Sequence, residues 1–154
     1  MEIKKKKAIF KLSISACLLT ISVFWLLLRP VEVIAVHKND SHSYVLVKNF
    51  PFTDKGKINW WLKNKDVLAD KYKIPSPASD GSFVIIFWDF GKGYKETDGY
   101  DNLCFSDMQP PLNCIEKDAL LMVRYSKNTG NYFVLATETY RINNDGRIIQ
   151  IKSD

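Results

Sequence analysis

"FVIIFWDF", residues 83–90, is the stretch on which the fold turns. A strand with one wet face alternates apolar and polar side chains, and this run does not until Asp89. It therefore predicts a central strand that is covered on both faces. "PASDGS" before it, residues 77–82, is rich in turn formers and sets where the strand starts. The surrounding sequence must supply two covers.

One cover lies upstream in "PFTDKGKINWWLKNKDVLADKYKIP", residues 51–75. Ile58, Trp61, Leu62, Leu68, Ala69 and Tyr72 recur at helical spacing, and Lys63, Asn64, Asp66, Asp70 and Lys71 fall opposite them. Thr53 suits an N-cap, Asp54 adds a favourable charge in the first turn, and Pro75 stops the run. The spacing predicts one amphipathic helix over about 54–73. Ahead of it, "VEVIAVH" and "SYVLVKNF" read as a hairpin joined by "KNDS". After a long polar and aromatic loop, residues 91–118, "ALLMVRY", "YFVLATETYRI" and "RIIQIK" read as three antiparallel strands separated by two turns. The expected fold is α+β, a mostly antiparallel sheet with one helix on a face.

The formal charge of +5 first points toward nucleic acid, but its distribution points away. Residues 1–30 hold six basic side chains and one acidic, whereas residues 31–154 hold sixteen of each. The excess is an N-terminal cluster, Lys4–Lys7, ahead of an apolar run. Residues 8–28 are uncharged except for Lys11, a length that suits a spanning helix of roughly 17–25 residues. Lys11 lies near the lysine end, where its stem can reach the headgroups, and Trp25 suits the opposite interface. The positive-inside rule predicts a cytoplasmic tail (1–7), a transmembrane helix (8–28) in the bilayer of a bacterial inner membrane, and an exported periplasmic domain (31–154). The run is long for a cleavable signal peptide, although Val33-Ile34-Ala35 is a candidate cleavage site. "ISAC" at 14–17 has the form of a lipoprotein box, but the strongly apolar stretch after Cys17 favours a plain helical residue.

Export decides how Cys104 and Cys114 are read. They are the two cysteines of the exported part, ten positions apart around Pro110-Pro111, and an oxidising compartment favours a structural disulfide. Zinc wants closer spacing and further ligands, and redox exchange wants a CxxC that is absent from the sequence.

Candidate chemistry elsewhere is thin. His37 and His42 flank the first turn and, with Asp40, form a candidate weak metal-binding sensor, weighed against two surface histidines. Asp89 with Glu96 or Asp98 is a candidate carboxylate pair for a periplasmic hydrolase, weighed against solvated loop charges. "DFG" at 89–91 lacks every companion motif of a kinase, and Gly91-Lys92-Gly93 lacks a following helix to hold phosphate. Trp60, Tyr94, Tyr100 and Phe105 are candidate partner-binding aromatics, weighed against a satellite core around the disulfide. No catalytic, cofactor or metal residue is assigned, and neither an enzyme nor a nucleic-acid or small-molecule binder is expected. The expected role is a protein-binding module, of immunity type or an accessory of an envelope machine, with a periplasmic or membrane protein as partner.

"NFPFTDKGKINWWLKNKDVL" (49–68), "DGSFVIIFWDFGKGYKETDGYDNLCF" (80–105), "PPLNCIEK" (110–117) and "LLRPVEVIAVH" (27–37) resemble the enterobacterial membrane-protein family known as domain-of-unknown-function family 943. The resemblance covers nearly the whole chain. It implies a single-pass inner-membrane protein, and it carries no catalytic residues to transfer.

Overall fold

The computed structural model describes residues 2–27 and 29–151. The chain divides into two units, Met1–Pro30 and Val31–Asp154. The first is a single helix, α1 (Glu2–Leu27). Among the described residues no helix is long and apolar enough to cross a membrane, and the predicted span 8–28 ends on a residue outside that set.

The second unit is mixed α+β, as expected. Strands β1 (Glu32–Asn39) and β2 (His42–Lys48) form the predicted hairpin, turning through Asp40 at φ 51°. Helix α2 (Asp54–Tyr72) then leads to β3 (Phe83–Asp89), which pairs with β2 in parallel. This is the one parallel pairing of the seven-stranded sheet, because a helical crossover returns the chain in its original direction. Short strands β4 (Asn102–Cys104) and β5 (Cys114–Glu116) form a separate two-stranded sheet. β6 (Ala119–Ser126), β7 (Gly130–Val134), β8 (Thr139–Ile142) and β9 (Ile148–Ile151) complete the large sheet in the order β1-β2-β3-β6-β7-β8-β9. "YFVLATETYRI" was expected as one strand and is two. The backbone turns back between Leu135 and Glu138, whose N–H and C=O close that turn at 2.9 Å.

Two cores confirm that β3 is buried on both faces. Ile85 and Phe87 point toward α2 and meet Ile58, Trp61 and Leu68, all buried. Ile86 and Trp88 point the other way, into a smaller core with Leu46, Phe105 and Ile115. The period-2 geometry of a strand sends neighbours to opposite faces, so an uninterrupted apolar run feeds both cores.

The ends of α2 follow local chemistry. Thr53 is the N-cap, its hydroxyl accepting from the Gly56 N–H at 3.1 Å. A Cβ on Gly56 would lie 2.7 Å from that hydroxyl, which explains a glycine inside the first turn. The stop is Lys73 rather than Pro75. Lys73 adopts the left-handed region and donates its N–H to the Ala69 carbonyl at 3.0 Å. At the other end, Tyr140 of β8 donates to Asp54 at 3.0 Å and ties the helix start to the sheet.

Phe87 is wholly buried and stacks on Phe50 at 5.2 Å, so Phe87→Ala should cost about 3–5 kcal/mol in urea unfolding. The Tyr140 hydroxyl is pushed above the usual phenol range, chiefly by its bond to Asp54. A group that holds its proton more tightly when folded contributes fully below its unfolded value and loses that contribution as pH rises through the folded one. Tyr140→Phe should therefore be less stable than the parent at neutral pH, with the gap closing only in strong alkali.

Candidate functional site

The loop of residues 90–118 is a folded flap lying over β1–β3. Cys104 and Cys114 face each other in the β4–β5 ladder and are joined by a disulfide, as the sequence predicts. Lys95 exchanges two backbone hydrogen bonds with Cys114 on the far side of β5, at 2.8 and 3.1 Å. The flap is thus held together by backbone pairing on both sides of Cys114 and by a covalent bridge. Phe105 follows β4 and points inward, 3% exposed, where it fills the second core.

His37 locks the flap to the sheet. It was expected as a surface residue of the turn, but it is 6% exposed. Its Nδ1 lies 2.9 Å from both carboxylate oxygens of Asp107, and its Nε2 lies 2.8 Å from the Tyr94 hydroxyl. The Phe105 ring stacks on the imidazole at 3.8 Å and 14°. A carboxylate only accepts, so Nδ1 carries a proton. A tyrosine hydroxyl both donates and accepts, so Nε2 keeps its bond whether the ring is neutral or charged. Burial raises the Tyr94 hydroxyl above the usual phenol range, and the Asp107 carboxylate adds to this. Tyr94 therefore remains a neutral O–H partner through the physiological range.

This geometry corrects the metal reading of His37 and His42. The ladder sets Tyr44 opposite His37 and Asn39 opposite His42, and His42 is exposed. Both nitrogens of His37 are engaged by Asp107 and Tyr94, leaving neither for a metal. Among the described residues no group of three His, Cys, Asp or Glu side chains is placed to hold an ion.

The acidic cluster is taken apart in the same way. Asp98 accepts from Lys95 at 2.8 Å, from the Asn102 side chain and from the Tyr100 N–H at 3.0 Å. Lys95, then Asn102, hold its carboxyl well below the usual range, and Asp98 in turn raises Lys95. A carboxyl so held stays ionised and is a poor general acid. Asp101 pairs with Lys117, and Asp107 serves His37. Asp89 lines a cleft of about 180 Å³ with Lys92, Lys95, Glu116 and Asp118, and Glu96 is exposed outside that lining. Of the two proposed partners of Asp89, Asp98 is thus held by three local contacts and Glu96 faces solvent.

The four aromatic candidates also separate. Trp60 is half-buried against Phe50 and Phe87, at 5.2 and 5.8 Å, so it packs in the main core. Phe105 is interior, and Tyr94 has its hydroxyl committed to His37. Tyr100 alone of the four is presented to solvent, 84% exposed, and Leu112 is a second exposed apolar residue of the flap. The sequence reading missed His37 as the residue that organises the flap. No local signal could have found it, because its partners Asp107 and Tyr94 lie far along the chain.

Fold and site together define a class: a single mixed α+β domain, following an N-terminal helix, that carries a disulfide-braced flap. Within that class the chain belongs to the family described as "Enterobacterial putative membrane protein", domain-of-unknown-function family 943, which matches residues 2–152. No curated protein and no solved structure matches it.

Removing Asp107 or the Tyr94 hydroxyl strands a buried ring nitrogen, which costs about 1–3 kcal/mol. Asp107→Ala and Tyr94→Phe should each lower stability by that order and speed amide exchange across residues 103–115, while leaving exchange in α2 unchanged. Unaltered exchange in the flap would reject the lock. In oxidised protein Cys104 and Cys114 should resist alkylation without reductant, and replacing both by alanine should cost roughly 2–3 kcal/mol for a ten-residue loop.

Proposed function

We propose that this chain is a membrane-anchored protein-binding module, with residues 1–7 in the cytoplasm, residues 8–28 in the inner membrane and residues 31–154 in the periplasm. The observation that carries the anchoring is α1 itself. Ile9, Phe10, Leu12, Leu18, Leu19, Ile21, Val23 and Phe24 are all exposed on a helix apolar around its circumference. Such a helix needs an apolar surrounding. The lysines before it and the disulfide in the following domain favour export of that domain, and the family description favours a membrane protein.

The flap supports the binding role. It is stiffened by a disulfide, clamped by His37, and presents Tyr100 and Leu112 outward. Rigid loops that carry exposed aromatic and aliphatic side chains make good contact surfaces, because little freedom is lost on binding. Tethering to the bilayer raises the effective concentration toward a partner at the same surface. This arrangement supports an immunity-type or envelope-accessory role. The dispersal of Asp89, Glu96 and Asp98 into separate contacts favours a binder over a hydrolase.

Two measurements test this. Alkaline phosphatase fused after residue 154 should be active and a green fluorescent protein fusion there dark; the reverse pattern rejects the topology. Tyr100→Ala should weaken crosslinked capture of a partner several-fold, while alanine at Asp89 and Glu96 together should leave it intact. Loss of function only in the carboxylate variant would instead mark an enzyme.

A further inference from the structure

The flap covers only part of its side of the sheet. Register puts Val84, Arg124, Tyr132, Arg141 and Ile149 in one row across β3, β6, β7, β8 and β9. Paired residues share a face, and so do residues two apart, so Met122, Val134, Thr139 and Ile151 form the next row on the same side. Phe133 and Tyr140 take the opposite side with α2. Tyr132, Val134, Ile149 and Ile151 are half-buried but belong to neither core. Val84 and Met122, at the β3–β6 end of these rows, pack against the second core, whereas these four lie beyond it. At its β2–β3 end this face opens into a groove of about 510 Å³, where His42, Val84, Met122 and Arg124 meet.

Charge says what covers it. Arg124 and Arg141 are exposed on either side of Tyr132 in the row, and among the described residues neither forms an ion pair. The one carboxylate of the groove, Asp80, is occupied by Ser82. In a domain with equal numbers of acidic and basic residues, two arginines with no ion pair among the described residues, in rows that hold no other charged side chain, are a local excess. Arg and Tyr among aliphatic side chains is the composition of the centre of protein interfaces. Anionic lipid recognition instead uses clusters of about 4–8 basic residues.

We infer that this open face docks an acidic amphipathic helix of a protein partner, whose two carboxylates take Arg124 and Arg141 while apolar side chains between them cover Tyr132 and Val134. Arg124 and Arg141 are two strand spacings apart, roughly 10 Å. Carboxylates at i and i+7 of a helix stand about 10.5 Å apart on one side, with i+3 and i+4 between them. The inference rests on the protein-binding reading and adds a surface and a partner chemistry to it.

The test uses the full-length chain in phosphatidylcholine nanodiscs. The probe is a labelled helix-forming peptide with Glu at i and i+7 and Leu and Phe between, compared with a twin carrying Lys at those positions. The Glu peptide should bind and lose at least tenfold in affinity to Arg124→Glu/Arg141→Glu, and the Lys twin should bind that variant better than the parent. Both arginines are exposed, so thermal unfolding should be unchanged; if it is not, Arg124→Gln/Arg141→Gln serves. Equal binding of the two peptides, or no effect of the arginine variants, overturns the inference. So does arginine-dependent capture of phosphatidylglycerol vesicles with no peptide binding, which would make the face lipid-directed. A photocrosslinker at Tyr132 should join an Asp/Glu-rich peptide in cells, and a link to a second copy of this chain or to a basic peptide rejects it. Crosslinks from Tyr100 but not Tyr132 leave the binding reading standing and remove this face, and crosslinks from neither remove both.

Discussion

Strand β3 carries apolar side chains on both faces at the centre of the sheet, with Ile85 and Phe87 on one side and Ile86 and Trp88 on the other. Each of these side chains is worth about 1.5–3 kcal/mol when removed from water, so neither face can stay wet. The first cover is α2, an ordinary solution because a helix buries a wide apolar stripe at once. The second is a 29-residue flap with little regular structure, and an irregular loop is a poor cover unless its backbone polar groups find partners. Much of the flap's design answers that difficulty.

The flap answers it in three ways. Lys95 takes both backbone groups of Cys114 on one side, and on the other Phe105 donates to the Asn113 carbonyl beside the β4–β5 ladder. The disulfide fixes the same position covalently. His37 then supplies a polar anchor under the flap, taking Asp107 from the loop after β4 and Tyr94 from the segment before it. One imidazole thereby joins two stretches of the flap to the edge strand β1, with Phe105 stacked on it to exclude water. A buried polar group is costly when half-satisfied and specific when fully satisfied, and here both nitrogens have partners. Asp107 and the Tyr94 hydroxyl are thereby engaged in holding the flap.

Covers of unequal width leave the sheet asymmetric. The flap reaches over β1 to β3, and the strands from β6 to β9 keep a mostly apolar face with two arginines that form no ion pair among the described residues. An exposed apolar sheet face of this kind is an invitation to association unless something controls what binds. Arg124 and Arg141 supply such control: they repel basic surfaces and another copy of the same face, and leave acidic surfaces favoured.

The sequence by itself determined the elements whose causes are local. Unbroken apolarity marked β3, helical spacing with Thr53 ahead of it marked α2, and the two cysteines of the domain marked the disulfide. It also divided the basic tail from a charge-neutral domain. Local chemistry can be read this way because a cap or a period involves residues a few positions apart. The tertiary structure decided what depends on distant pairs. His37 meets Asp107 across seventy positions and Tyr94 across fifty-seven, so nothing near "AVHKN" distinguishes a buried lock from a surface turn. Phe105 and Trp60 look like contact aromatics in isolation and become interior only once the flap and helix are laid on the sheet. Asp98 looks like half of a carboxylate pair until folding hands it Lys95 and Asn102. Arg124 and Arg141 are seventeen residues apart in sequence, and only the β6-β7-β8 ladder sets them in one row. A residue's burial and its partner are properties of the assembled sheet, and the chain alone carries them only as possibilities.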